Sequence, residues 1–192
     1  RWFERGMYIL REQVDEQILD DGGHFELSPM YHLIVLEDLL DVVQALRCYE
    51  RTEPRWLSSA IQKMLDWSRV MRHPDKAIPF FNDCSFGVSS TPEDVDSYAS
   101  NLGFFSQISE ETNHLYLQSS GYLRVKSQDM TIFMDLARIG PDYLPGHSHA
   151  DSLSFEMSLF SDRLFVNSGS SEYEISARRL AERSTINHNA LS

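Results

Sequence analysis

The amino-acid sequence predicts an α+β protein whose helices come first along the chain and whose antiparallel strands follow. Apolar residues recur at helical spacing as far as about residue 71. From about Leu115 onward they alternate with polar residues, which is typical of strands. Residues 74–105 between these regions are interrupted by proline, glycine and serine, as in an irregular connector. Helices and strands segregated in this way form separate layers or domains.

Three helices are predicted in the first part of the chain, with a short fourth one in the connector. Gly22 and Gly23 supply a stop for the first helix. Ser28 and Pro29 are an N-cap residue and a first-turn proline, so they mark the start of the second. The predicted ranges are 1–19, 30–49 and 54–71, with the short helix at 92–100.

The second part of the chain predicts antiparallel strands. The clearest alternation runs through 153–160, and Ser161-Asp162 then predicts a hairpin turn. The predicted strands are 121–125, 130–136, 153–160 and 163–167.

The charge of the chain excludes some classes of partner. The 192 residues contain 17 Lys and Arg against 29 Asp and Glu, a formal net charge of −12. This sign disfavours nucleic acid and anionic membranes as partners. No apolar run approaches the roughly 20 residues of a membrane span. Two isolated cysteines, Cys48 and Cys84, are too few for a disulfide framework or a cysteine zinc site.

The segment 146–151 carries the strongest chemical signal. In an extended strand, His147, His149 and Asp151 share a face, which suits acid–base work or metal binding. Together with Asn167 and His188 on neighbouring strands, two histidines and an oxygen donor would suit zinc. A cupin is disfavoured because its glutamate is absent at positions 153 and 154. A polar strand end without chemistry remains the alternative.

Five segments of the chain form a specific combination of motifs. They are Asp-Gly-Gly-His-Phe-Glu-Leu-Ser-Pro-Met-Tyr-His (21–32), Ile-Pro-Phe-Phe-Asn-Asp (78–83), Gly-His-Ser-His-Ala-Asp-Ser-Leu-Ser-Phe-Glu (146–156), Leu-Phe-Val-Asn-Ser-Gly (164–169) and Arg-Ser-Thr-Ile-Asn-His-Asn (183–189). Together they resemble the heparinase II/III-like family of polysaccharide lyases. The similarity runs from about residue 20 to residue 190, and the combination is more specific than any one motif.

This resemblance implies an (α/α) toroid followed by an antiparallel β-sandwich, with the active site between them. Residues 1–105 would be the C-terminal part of the toroid with its connector, and 106–192 the N-terminal part of the sandwich. The chain would then be a piece of a longer protein, with parts of its own sequence missing at both ends. A catalytic asparagine or histidine from an earlier helix would lie before residue 1. The family resemblance also favours a periplasmic or secreted location.

The family cleaves uronic-acid polysaccharides by β-elimination, so the resemblance implies an anionic polysaccharide substrate. Heparan, alginate, chondroitin-like and capsular chains all stay open. Tyr31 matches the catalytic tyrosine and His147 the second acid–base residue. The alternatives are a tyrosine that packs against its helical neighbours, and a histidine that is a metal ligand or a structural donor.

His149, His188 and Asn167 match the metal ligands of the family's zinc-binding members. An aspartate is expected at the third position, and Asn167 is a weaker, neutral donor. A zinc ion and a metal-free hydrogen-bonded cluster are therefore both open. If zinc binds, the resemblance implies that it supports the loop of His147.

Four further residues are candidates for substrate binding. Glu26 and His32 belong to the matched segment 21–32, and Arg179 and Arg183 lie near the His188 motif. His32 shares a helix face with leucines, so a half-buried structural histidine is the alternative. The arginines are alternatively surface residues paired with Glu172, Glu174 and Glu182.

Two other functions remain open from the sequence. Asn167, and Ala190 where the family usually has threonine, give weight to a carbohydrate-binding or capsule-assembly protein without turnover. A metal-dependent oxygenase on a β-scaffold is the third possibility.

Overall fold

A computed structural model of the chain describes residues 1–109 and 112–190. Four helices come first and a five-stranded antiparallel sheet follows, which confirms the predicted order, and one short helix that was not predicted comes after the sheet. The predicted second region, 106–192, includes residues 110, 111, 191 and 192, which lie outside the described residues. The helices are α1 (Trp2–Gln17), α2 (Pro29–Cys48), α3 (Arg55–Val70), α4 (Pro92–Asn101) and α5 (Ala177–Glu182). The strands are β1 (His114–Leu117), β2 (Tyr122–Lys126), β3 (Met130–Asp135), β4 (Phe155–Leu159) and β5 (Asp162–Phe165).

The start of α2 is fixed by a side-chain cap, as its sequence predicts. Ser28 Oγ accepts a hydrogen bond from the backbone N–H of Tyr31 at 3.2 Å, and Pro29 occupies the first helical position. The same hydroxyl donates to the carbonyl oxygen of Asp83 at 2.5 Å. One serine therefore sets the first turn of α2 and anchors the connector that follows α3.

The glycines after α1 allow a close approach to α3. Gly22 has φ +91°, and a Cβ at this position would lie 2.1 Å from the carbonyl oxygen of Lys63. A Cβ on Gly23 would lie 2.7 Å from the indole nitrogen of Trp67. The glycines therefore serve the contact between helices as well as the end of α1.

The five strands pair in sequence order, each antiparallel to the next. The hairpin between β4 and β5 turns at Phe160 and Ser161, because Leu159 pairs with Asp162. The prediction of Ser161-Asp162 is therefore wrong by one residue. Phe160 adopts φ 55°, a left-handed conformation that one residue of such a tight turn must take.

An apolar core joins the helices to the sheet. Trp67 from α3, Phe81 from the connector, Tyr122 from β2 and Phe133 from β3 are each 2% exposed or less. Burying a side chain of this size contributes about 1.5–3 kcal/mol. Tyr122 Oη also donates to the carbonyl oxygen of Leu27 at 2.5 Å, which ties the segment before α2 to the sheet.

The face of the sheet toward the helices also carries a buried polar network. Glu156 in β4 is fully buried and accepts hydrogen bonds from the backbone N–H groups of Phe80 and Asn167, each at 2.9 Å. Its other oxygen contacts His73 Nε2 at 2.9 Å. Glu156 therefore holds the connector and the segment after β5 at fixed positions.

The opposite face of the sheet is apolar and partly exposed. Its side chains form two rows across the strands: Tyr116, Leu123, Met134 and Phe155, then Val125, Ile132, Met157 and Phe165. Tyr116 is 55% exposed and Phe165 45%. A sheet face of this composition is typical of one that packs against another layer.

In the part of the chain that the structure describes, none of the helices combines the length and apolar character that crossing a bilayer requires.

Candidate active site

Tyr31 and His147 meet between the helices and the C-terminal part of the chain. Their ring centroids lie 4.4 Å apart at an interplanar angle of 47°. Tyr31 stands in the first turn of α2, and His147 ends a short 3₁₀ turn, Pro145–His147. Both side chains remain partly exposed, so a ligand can reach them.

The histidine segment is not a strand, so the prediction of a shared strand face is wrong. Pro145 opens the 3₁₀ turn, and residues 148–154 follow without a strand until β4 begins at Phe155. Arg183 holds this segment by donating to the carbonyl oxygens of Ser148, at 2.6 and 2.9 Å, and Pro145, at 3.2 Å. The side chains of His147 and His149 still converge, on Asp83.

Asp83 is the centre of the site, although no role was predicted for it. Its side chain is fully buried. His147 Nδ1 contacts one carboxylate oxygen at 2.9 Å, and His149 Nε2 contacts the other at 2.8 Å. Ser170 Oγ donates at 2.6 Å, and the guanidinium of Arg179 donates to both oxygens. Burial opposes ionisation of Asp83, but these hydrogen bonds outweigh it and hold the pKa of Asp83 well below its usual range.

Tyr31 is kept in its neutral form. Burial and a hydrogen bond from its hydroxyl to Tyr173 Oη, 3.1 Å away, raise the pKa of Tyr31 well above the usual 10. The nearby carboxylates of Asp83 and Glu26 act in the same direction. A neutral phenol is suited to donate a proton rather than to accept one.

Glu26 lies beside the site, close enough for electrostatic interaction with both His147 and Asp83. Burial raises the pKa of Glu26. Its carboxylate is 3.9 Å from His24 Nδ1. The structure therefore keeps Glu26 among the residues that border the cleft.

His32 is a core residue, which does not fit the predicted contact with substrate. It is 1% exposed, Nε2 contacts the carbonyl oxygen of Met64 at 3.0 Å, and the ring lies 4.2 Å from that of Trp67. Burial lowers the pKa of His32 to about 3, so the ring is neutral. Successive side chains of a helix point about 100° apart, so His32 points into the core while Tyr31 faces the cleft.

The two predicted substrate arginines are engaged within the protein. Arg179 is 7% exposed and bonded to Asp83, and Arg183 is bonded to backbone carbonyl groups. These contacts do not fit a guanidinium that faces a uronate. Arg178 is exposed and pairs with Glu182 at 3.2 Å.

Two of the three predicted metal ligands face each other. His149 Nδ1 and His188 Nε2 lie 3.2 Å apart, close to the separation of about 3.3 Å that two imidazoles on one tetrahedral zinc would have. Asn167 Oδ1 accepts a hydrogen bond from the Asn189 N–H at 3.1 Å. Within 1–109 and 112–190, no group of three or more His, Cys, Asp or Glu side chains is placed to hold a metal. Zinc at these residues stays a prediction.

Comparison with known sequences identifies the family. The sequence model of the heparinase II/III N-terminus matches residues 1–114, and that of the heparinase II/III-like C-terminal region matches residues 110–192. The chain therefore belongs to the heparinase II/III-like family.

Known relatives are lyases of heparin sulfate. The heparin-sulfate lyase of Bacteroides stercoris is 24% identical over 212 residues, which cover all of this chain and 31% of that protein. The heparin-sulfate lyase of Pedobacter heparinus is 27% identical over 85 residues, which cover 43% of this chain and 13% of that protein. The chain thus spans less than a third of the length of these relatives.

Solved structures show the same fold. A crystal structure of heparinase III superimposes with a TM-score of 0.83 at 21% identity, over all of this chain and 35% of the other. The heparan sulfate lyase HepC from Pedobacter heparinus gives a TM-score of 0.74 at 18% identity, over 98% of this chain and 32% of the other.

Proposed function

We propose that this chain is part of a polysaccharide lyase that cleaves a uronic-acid-containing glycosaminoglycan by β-elimination. The contact between the rings of Tyr31 and His147, at 4.4 Å, carries the proposal because it pairs a neutral phenol with an imidazole in one partly exposed cleft. The relatives' activity on heparin sulfate supports a polymer of the heparan type. These relatives favour a lyase over a carbohydrate-binding or capsule-assembly protein without turnover.

The proposed roles follow from the protonation of the two groups. His147 donates through Nδ1 to Asp83, so Nε2 is free to accept the proton from C5 of the uronate. The electrons of the C5–H bond form the C4=C5 double bond, and the bond from C4 to the glycosidic oxygen breaks. Tyr31, as a neutral phenol, donates its proton to that departing oxygen.

We also propose that His149, Asn167 and His188 would hold zinc if the intact protein binds it. The ion would join the segment of His147 to the C-terminal segment. The chemistry described for Tyr31 and His147 uses no metal.

The fold of the intact protein is proposed on the same basis. Helices α1–α4 would belong to an (α/α) toroid, and the five strands to one sheet of a β-sandwich. The apolar outer face of the sheet supports the second part of this proposal, because it is suited to pack against another sheet.

The experiment is a lyase assay of the intact protein on heparan sulfate, chondroitin sulfate and alginate, recording the ultraviolet absorbance of the unsaturated product. We expect Tyr31→Phe to leave the fold intact and to lower the elimination rate at least about 100-fold, since the acid is removed. Folding is checked by circular dichroism. Product formation by the variant at the wild-type rate would exclude the role of Tyr31, and no product from any polymer would favour the binding protein.

A further inference from the structure

Asp83 accepts hydrogen bonds from several side chains besides the arginine with which it forms an ion pair. Its carboxylate accepts from four side chains: His147, His149, Ser170 and Arg179. Its backbone N–H donates to the carbonyl oxygen of His147 at 3.1 Å. Side chain and backbone therefore fix both the position and the ring orientation of His147.

An ionised carboxylate only accepts hydrogen bonds, which decides where each histidine ring carries its proton. The Arg179 guanidinium contacts both oxygens of Asp83 and balances its charge in the buried site. Nδ1 of His147 faces Asp83 at 2.9 Å, so this nitrogen carries the hydrogen and Nε2 carries the lone pair. A ring with this tautomer can take a proton only through Nε2.

His149 is held in the opposite tautomer by the same carboxylate. Its Nε2 faces Asp83 at 2.8 Å, so Nε2 carries the hydrogen. Nδ1 then has the lone pair and faces His188 Nε2 at 3.2 Å. The carboxylate of Asp83 thus places the ring proton on Nδ1 in His147 and on Nε2 in His149, although the two histidines are only two residues apart.

The geometry points to Asp83 as a positioning residue that fixes the Nδ1–H tautomer of His147 and the Nε2–H tautomer of His149. Its value for catalysis rests on the proposed function, in which His147 is the base. The tautomers themselves are independent of any activity, so the two proposals can fail separately.

The tautomers can be measured by NMR of the intact protein labelled with ¹⁵N in the histidine rings, about two pH units above the ordinary histidine pKa of about 6.5. We expect a protonated Nδ1 in His147 and a protonated Nε2 in His149. The reverse assignment for either ring, or a mixture of tautomers, overturns the proposal. Since the wild-type spectrum is itself a test, the proposal stays falsifiable even if a variant fails to fold.

The variant Asp83→Asn tests whether Asp83 is what fixes the two tautomers. An amide has only one accepting oxygen, so it can hold at most one of the two rings. We expect at least one ring to lose its single tautomer, and the turnover number kcat to fall at least about tenfold with little change in KM. Retention of both wild-type tautomers in a folded D83N variant overturns the proposal.

Asp135→Asn is the matched control, because Asp135 is also a buried carboxylate but accepts from the backbone of Ala137 and from neither histidine. We expect both tautomers and the turnover number to be unchanged in it. Loss of the tautomers in this control as well would assign the effect to general disruption and overturn the proposal. If the wild-type tautomers are as expected but no polymer is cleaved, the lyase proposal fails and the positioning role stands.

Discussion

At the scale of single residues, two buried acidic groups, one inside the site and one outside it, have sharply different environments. Asp83 is buried among five donated hydrogen bonds, whereas Asp135 at the end of β3 is buried beside another carboxylate, Asp151. The first environment favours the charged form and the second disfavours it. The two residues therefore have opposite effects on stability as the pH changes.

The raised pKa of Asp135 makes the free energy of unfolding depend on pH. Burial, and then the charge of Asp151, raise the pKa of Asp135 from 3.8 to about 7. Because the folded-state pKa is the higher one, the folded state binds the proton more tightly than the unfolded chain. This contribution to stability is complete below about pH 3.8 and is lost as the pH rises to about 7.

We therefore expect the free energy of unfolding of the wild type, relative to Asp135→Asn, to fall by a few kcal/mol between pH 4 and pH 7. The measurement is urea unfolding of both proteins across this range. A difference between wild type and variant that does not change with pH would contradict the raised pKa.

The sequence led to Tyr31 and His147, the two proposed reacting side chains, but not to their partner Asp83. Both roles were predicted from the resemblance of the segments 21–32 and 146–156 to the family, and they stay predictions. Asp83 is 64 residues from His147, and no local pattern connects them. The signal available was an aspartate inside the apolar segment 78–84, where a buried charge requires partners. Tyr173 carries no such signal, because it is exposed and meets Tyr31 only through the fold.

At the scale of elements, the start of α2 connects stability to the site. Ser28 Oγ caps α2 and donates to the connector at Asp83. Thr91 caps α4 in the same way, accepting from the Asp94 N–H at 3.2 Å, but has no contact with the site. The two caps are a matched pair.

We expect Ser28→Ala and Thr91→Ala each to lower the free energy of unfolding by about 0.5–2 kcal/mol through loss of the cap. Ser28→Ala also leaves a buried carbonyl without its donor, which costs about 1–3 kcal/mol more. Only Ser28→Ala should lower the lyase rate, as measured beside urea unfolding of both variants. Equal effects of the two variants on the rate would show that the cap of α2 does not position the site.

The elements themselves were largely predictable, because helix and strand periodicity is local. The cap at Ser28 and the helix after Pro92 follow from a few adjacent residues. The histidine segment was predicted wrongly because the alternation rule assumes an extended chain. Pro145 and Gly146 favour a turn instead, and Arg183, a distant residue, stabilises it.

At the scale of the whole molecule, the outer face of the sheet yields a test of the proposed sandwich. Ile132 stands in the centre of this face, between Val125 and Met157. If a second sheet covers it, Ile132→Ser removes a buried side chain. We expect this variant of the intact protein to lose about 2–4 kcal/mol of unfolding free energy.

Ile139 is the control, because it is 63% exposed and lies outside this face. Ile139→Ser should change the unfolding free energy by no more than about 0.5 kcal/mol. Both values come from urea unfolding. Equally small losses for the two variants would mean that the outer face stays in contact with water.

The site draws on four separate stretches of chain: Tyr31 comes from α2, Asp83 from the connector, His147 from the segment between β3 and β4, and Arg179 from α5. The bonds of Asp83 to His147 and Arg179 do not involve α2, whereas Tyr31 reaches His147 only across the cleft. An opening that moves α2 away from the C-terminal part would therefore separate the proposed acid from the proposed base while the bonds around Asp83 stay in place. In that case the rate of the proposed reaction would follow the fraction of molecules in which the cleft is closed.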